Sequence, residues 1–287
     1  MLSFFSRLMF WKSPSPQVAV VRLSGIIAAS GSPVRRGLSF ESVEAPLKKA
    51  FSMGGIKAVA LVINSPGGSP VQSQLISQYI RQLSKKHDVP VLGFCEDVAA
   101  SGGYWIAAAC DEIYASSLSV IGSIGVVSAG FGFPRAIEKL GIERRVYTSG
   151  LSKSMLDPFK DEKSEDVSHL KQLQTEIHDN FIAHVKTRRG SRLKADDELL
   201  FNGKFWTGET ALSLGLVDGL GTMRDILETR FGDKLKLATV SQKKGLLSSF
   251  GSSASVQLTR GGISSDGLVD DLSSKIYELH HWQRFGL

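Results

Sequence analysis

Apolar and polar positions alternate along this chain with two different periods. Near-continuous apolar runs at 18–23, 56–63 and 89–95 are bounded by turn residues. Runs of that kind predict strands covered on both faces. Between them the period lengthens to that of a helix. Residues 41–53 put Val43, Leu47, Ala50 and Phe51 on one face and stop at Gly54-Gly55, and 71–83 is the next helix. Further on, 104–110 reads as a buried helix, 111–115 as a short strand and 120–127 as an apolar segment punctuated by glycine. Residues 134–140 read as helical and 144–148 as a strand. A long helix over 161–189 carries Val167, Leu170, Leu173, Ile177, Phe181 and Val185 as its apolar stripe. Its histidines, His169, His178 and His184, then fall on or near the polar side. Short helices at 195–199, through Ala211 and Leu214, and at 222–231 complete the compact part. This order predicts an α/β fold with a mostly parallel sheet, whose ligands bind beyond the C-terminal ends of the strands.

The two ends differ from this middle. Residues 1–16 form an apolar and aromatic segment (Phe4, Phe5, Leu8, Trp11) that closes in the linker Ser13-Pro14-Ser15-Pro16. It is shorter than the ~20 apolar residues a bilayer span needs, so the expected location is cytoplasmic or peripheral membrane. Residues 1–12 suit contact with a membrane surface. The lack of any acid before Glu41 also suits an organelle-targeting segment. Residues 241–287 begin rich in Ser, Gly and Lys and finish with the aromatics Trp282 and Phe285. Such a tail is expected to pack on a partner or in a groove. The division is therefore 1–16, a folded unit at 17–240, and a linker and tail at 241–287.

Composition narrows the function classes. With 287 residues and 42% hydrophobic content the chain builds a real core, and 22% charged residues is a globular value. The net charge of +6 is spread thinly, without a dense basic block, so no nucleic-acid partner is expected. The two cysteines, Cys95 and Cys110, sit in apolar runs and read as buried hydrophobes. No His/Cys spacing suggests a metal site, and no cofactor is expected.

The candidate chemistry centres on Ser101. It stands among small residues in Val98-Ala99-Ala100-Ser101-Gly102-Gly103, between a strand and a helix. A serine at such a turn presents its hydroxyl outward beside the free N–H groups of a helix start, which suits a nucleophile and the oxyanion it creates. The alternative is a plain helix N-cap. Gly67-Gly68 also follows a strand end, so it can share a site with Ser101. A serine nucleophile needs a base. None of the six histidines lies in an apolar turn at a strand end. Lys153 lies in a Ser-rich turn after the expected strand at 144–148, where hydroxyls and partial desolvation suit a neutral lysine base. A surface-loop lysine is the other reading.

At this point the motifs resemble a known family. Asn64-Ser65-Pro66-Gly67-Gly68, Ala99-Ala100-Ser101-Gly102-Gly103-Tyr104, Gly122-Ser123-Ile124-Gly125-Val126 and Ser149-Gly150-Leu151-Ser152-Lys153 occur in this order. They resemble the S49 family of serine proteases, the signal peptide peptidase A (SppA) and SohB group. Gly203, Thr207-Gly208, Ala211 and Gly215-Leu216-Val217-Asp218 are similar to that family's closing motif. The resemblance covers about residues 17–240. It implies a ClpP/crotonase-like fold of repeated β-β-α units and a Ser/Lys dyad. Ser101 matches the nucleophile, Lys153 the base, Ser123 the serine that positions the lysine, and the N–H groups of Gly68 and Gly102 the oxyanion hole. Ala99, Ala100 and Gly125 are expected as small-residue walls of a peptide groove. The implied substrates are short apolar peptides such as remnant signal peptides. The implied assembly is a homo-oligomer with the serine and lysine meeting at a subunit boundary. Here Leu151-Ser152 fill the turn before the lysine, a departure from the family's commoner pattern.

Two other classes compete. A crotonase-like acyl-CoA enzyme shares the fold, but it needs an acid at the carbonyl and an adenine-nucleotide site, neither of which is evident. A non-catalytic membrane-associated scaffold would use the N-terminal aromatics. A ClpP-like Ser-His-Asp site is disfavoured because positions 122–127, where its histidine would fall, read Gly-Ser-Ile-Gly-Val-Val.

Overall fold

The computed structural model describes residues 15–29, 37–150, 152–241 and 282–285. The expectations for residues 1–12, and for most of the tail, lie outside the described residues. Three successive turns of chain build the frame. β1 (Gln17–Ser24), β2 (Ile56–Ser65) and β3 (Val91–Ala100) are parallel neighbours in one sheet. Each is followed by a second, short extended piece and then by a helix: α1 (Phe40–Phe51), α2 (Pro70–His87) and α3 (Gly102–Ala108). The short pieces also pair. Ile27 bridges both Leu38 and Gly68, and Val98–Ala100 of β3 pairs with β5 (Val120–Gly122). This is a spiral of β-β-α units, the ClpP/crotonase-like architecture.

The sheet runs β6-β5-β3-β2-β1-β8, with β4 (Glu112–Ala115) also on β3 and β7 (Gly219–Leu220) on β4. Among the described strands only β6 (Phe205–Thr207) is antiparallel, to β5. β8 (Lys236–Val240) lies beside β1 at the far edge, and the Lys236 N–H donates to the Pro16 carbonyl at 2.9 Å. Alternation along the strands explains their continuous apolar sequence. Ala19, Val21 and Leu23 face a large core under α1, α2 and α3, whereas Val18, Val20, Ala58 and Phe94 face a smaller one closed by Leu227 of α8 (Met223–Phe231). Both faces are buried, as a parallel sheet requires.

α5 (Ser164–Arg189) packs on α3 through its C-terminal half only. Phe181, Val185 and Arg189 are buried, while Leu173 is exposed. Arg189 is fixed by a fork to Asp218 (2.7 and 3.0 Å), and its Nη2 donates to the Gly215 carbonyl at 2.8 Å. Asp218 in turn accepts from the Ile113 N–H at 2.7 Å. The closing turn at 215–218 is thereby tied to α5 and β4.

Several expected boundaries move. β3 continues to Ala100 rather than ending at 95, so Ser101 follows the strand directly. Of the glycine-punctuated apolar segment at 120–127 only Val120–Gly122 forms a strand, because Gly122 and Ser123 both take positive φ (110° and 52°). The strand expected at 144–148 is absent. That stretch belongs to an excursion at 126–163 to which no strand among the described residues offers a ladder, and α4 (Pro134–Lys139) within it buries no residue. The excursion is tied mainly to itself, by Phe133 N–H on the Pro158 carbonyl (2.6 Å) and by an Arg144–Asp157 ion pair (2.9 Å). β6, β7 and β8 went unforeseen, being short or partly exposed.

Candidate active site

Ser101 joins β3 to α3 with φ 51° and ψ −122°. A non-glycine residue held there stores on the order of 1–3 kcal/mol of strain, which its surroundings must outweigh. They do so through the backbone: Ser101 N–H donates to the Gly122 carbonyl at 2.8 Å, and its own carbonyl accepts from Trp105 N–H at 2.9 Å. Its side chain makes no capping hydrogen bond to α3. The N-cap alternative therefore fails, since a capping serine sits in extended backbone with its oxygen on the helix N–H groups.

Glycines let a second turn come up against this one. A Cβ on Gly67 would lie 2.7 Å from Ser101 Cβ, and one on Gly102 only 3.4 Å from the Gly68 N. A Cβ on Gly103 would lie 2.4 Å from the Ser65 carbonyl oxygen. Gly68 itself is pinned by Ile27: the Ile27 N–H donates to Gly67 at 2.8 Å, and Ser69 N–H donates to Ile27 at 2.7 Å. Among the described residues neither Gly68 N–H nor Gly102 N–H has an acceptor. Two adjacent backbone donors thus stand free beside the serine.

Ser101 and Ser123 line one open cleft of about 380 Å³, with Gly125, His178, Gly203 and Arg284 around them. Ser123 is buried, and no group among the described residues hydrogen-bonds its hydroxyl. Ala99 and Ala100 do not wall the cleft. They are fully buried in β3, where they pair with β5, and Gly125 alone of the expected trio lines it. Lys153 lies outside the cleft of its own chain, exposed in the 126–163 excursion, its N–H on the Gly150 carbonyl at 3.3 Å.

The helical histidines correct the sequence reading most. His178 is in the cleft, and its Nε2 lies 3.1 Å from the Ile124 carbonyl oxygen. His184 stacks on Trp105 (5.3 Å between centroids), and its Nε2 meets the Trp105 carbonyl at 2.9 Å. Burial pushes its pKa down, only partly offset by that carbonyl. The spacing held the signal: 178, 181, 185 and 189 fall on one helical stripe, of which Phe181, Val185 and Arg189 are buried. Arg284, from the tail, is a further lining residue the sequence did not announce, and Phe285 beside it packs edge-on against Phe205 at 5.1 Å. Cys95 and Cys110 are free and buried as expected, the Cys95 thiol pushed up to about 12 by desolvation. No group of residues able to hold a metal occurs among the described residues.

Comparison with known proteins decides the family. The model of peptidase family S49 matches residues 83–234. The chain belongs to peptidase family S49. A putative protease of Synechocystis is 31% identical over 97% of this chain and 95% of its own length. A putative signal peptide peptidase SppA of Enterococcus faecium is 33% identical over 82% of this chain and 69% of its own. A Brucella abortus protein named Na(+)/H(+) antiporter NhaA is 53% identical over 83% of this chain, and the chain spans only about a third (32%) of its length. The S49 match falls on the part shared with that longer protein. No helix among the described residues is long and apolar enough to cross a membrane.

Proposed function

We propose that this S49 chain is a serine endopeptidase in which Ser101 is the nucleophile and Lys153 of a neighbouring copy is the general base. The observation that carries the reading is the turn at Ser101: positive φ, no capping bond, and the free N–H groups of Gly68 and Gly102 beside it. Neutral Lys153 takes the hydroxyl proton as Ser101 Oγ attacks a peptide carbonyl. The oxyanion that forms accepts from the two N–H groups, and one such donor is worth roughly 3–4 kcal/mol of barrier. Lys153 then gives its proton to the leaving amine, and water releases the acyl group by the reverse path. Ser123, buried with its hydroxyl open to the cleft, positions the lysine amine. A lysine base works only unprotonated, so the rate rises with pH.

The neighbouring copy enters because Lys153 stands outside its own cleft, on an excursion that presents Phe131, Leu140 and Tyr147 to solvent. Exposed apolar groups in such number fit a surface buried by assembly. The substrates we assign are short apolar peptides such as remnant signal peptides. The SppA-like relative supports this class, as do Val126, Val127 and Phe201 in the cleft lining.

Mixing two dead variants tests the reading. Ser101→Ala and Lys153→Ala are each expected to be inactive. Co-assembled at equal ratio, they place an intact Ser101 against an intact Lys153 at about a quarter of random head-to-tail contacts. Peptide hydrolysis should return to that level. Activity in either variant alone would refute the assignment of that residue, and a silent mixture would put the dyad within one chain.

A further inference from the structure

We infer that His178 is a positioning residue for this site: it holds the cleft wall Gly122–Gly125, and through that wall the backbone of Ser101. The inference rests on the Ser101 nucleophile proposed above.

The wall is a strained piece of chain. Gly122 and the non-glycine Ser123 take positive φ in succession (110° and 52°). Its near end holds the nucleophile, since the Gly122 carbonyl is the acceptor for the Ser101 N–H at 2.8 Å. A shift of this carbonyl releases the bond that keeps Ser101 in its own unfavourable backbone region. Four contacts fix the rest. Ser123 N–H donates to the Lys204 carbonyl at 2.8 Å. The Ile124 side chain is fully buried in the core. Gly125 abuts Gly203, whose Cα would lie 3.0 Å from an added Cβ. The fourth contact is the Ile124 carbonyl, which accepts from His178 Nε2 at 3.1 Å. Among the described residues it is the only side-chain hydrogen bond to the wall.

The bond sets a peptide plane. With the Ile124 carbonyl turned towards α5, the Gly125 N–H of the same planar unit is turned the other way. Without the bond the carbonyl is free to rotate, and the neighbouring Ser123 can leave its left-handed conformation. A carbonyl accepts only, so His178 must carry hydrogen on Nε2, and any residue placing an N–H at that point can serve. This separates positioning from bulk: glutamine reaches with an amide N–H, whereas leucine fills the space without one.

The test uses the full-length chain and the acylation of Ser101 by a fluorophosphonate probe, with the modified residue located by peptide mass. His178→Leu is expected to label about tenfold more slowly than the wild type, the size of one hydrogen bond to a strained turn. His178→Gln is expected within about threefold of the wild type. In peptide hydrolysis the leucine variant should lose kcat with KM nearly unchanged, because the wall is in place for binding and misaligned for attack. Thermal melting of all three proteins checks that the folded population is the same. Wild-type labelling in the leucine variant overturns the inference. So does a glutamine variant as slow as leucine while equally folded, or a loss confined to KM. Should leucine fail to fold, glutamine against His178→Glu, which presents only acceptors, makes the same comparison. If the wild type itself is not labelled at Ser101, the nucleophile assignment fails and the inference falls with it; slow labelling at Ser101 in the variants alone cannot be read that way.

Discussion

Two regions of this chain are built on opposite terms. The β-β-α spiral at 17–125 buries both faces of its sheet, and nearly every turn that carries candidate chemistry is fixed from several sides. The excursion at 126–163 buries almost nothing: Val127, Phe131, Leu140, Ile142 and Tyr147 are all largely exposed. The first region holds Ser101, Ser123 and the two free N–H groups, and the second holds Lys153. The difference teaches where completion must come from. A strained serine needs a rigid frame of its own, while the base we propose, on an exposed arm, would acquire position only when another surface covers it.

The sharpest way to break the frame is Gly68→Ala. Its Cβ would stand 2.0 Å from the Ile27 carbonyl oxygen, at φ +139°. The strap at Ile27 must move and one oxyanion donor goes with it, so peptide hydrolysis should fall by about a hundredfold or more. Arg189→Met probes the packing behind the frame. It leaves Asp218 beside a cavity without its fork, and thermal or denaturant melting should show a loss of about 3 kcal/mol. The arm should answer in the contrary manner. Phe131→Ser with Leu140→Ser should change unfolding free energy by less than about 0.5 kcal/mol, because both side chains already face solvent. Sedimentation should nevertheless show smaller assemblies and a parallel loss of activity. An arm variant that melts early but assembles normally would erase the contrast.

The smallest effect concerns pH. Burial holds His184 below the ordinary histidine value of about 6.5. Above that pH the histidine is neutral in both folded and unfolded chain and adds no slope. As pH falls below it, the unfolded chain takes up the proton first, so stability declines until the folded value is reached. Melting temperature followed from pH 7.5 down to 5.5 should fall in the wild type and fall less in His184→Phe.

How much of this was legible in the sequence follows from the same contrast. The strands at 17–24 and 56–65 and the helices between them were readable because burial on both faces leaves continuous apolar runs. Ser101 and Gly68 were readable as turn residues after strand ends, and the motif order pointed to the family. What the sequence hid depends on long-range contact. The strand expected at 144–148 has the right residues but no ladder partner among the described residues. Ala99 and Ala100 look like groove walls and are sheet interior. His178 and His184 read as residues on or near the polar side until the stripe through Phe181 and Val185 is extended in both directions, and Arg284 reaches the cleft from far along the chain. Each of these is decided by what another segment does.

The pairing of β8 with β1 has one more consequence. The Lys236 N–H on the Pro16 carbonyl ties the start of β8 to the entrance of the folded unit at one edge of the sheet, away from β5, and the exit at Val240 lies beside Val21 on the same edge. A unit wired in this way behaves as a cassette. Polypeptide can be joined ahead of β1 without threading through the core, whereas the chain beyond β8 lines the cleft again at Arg284.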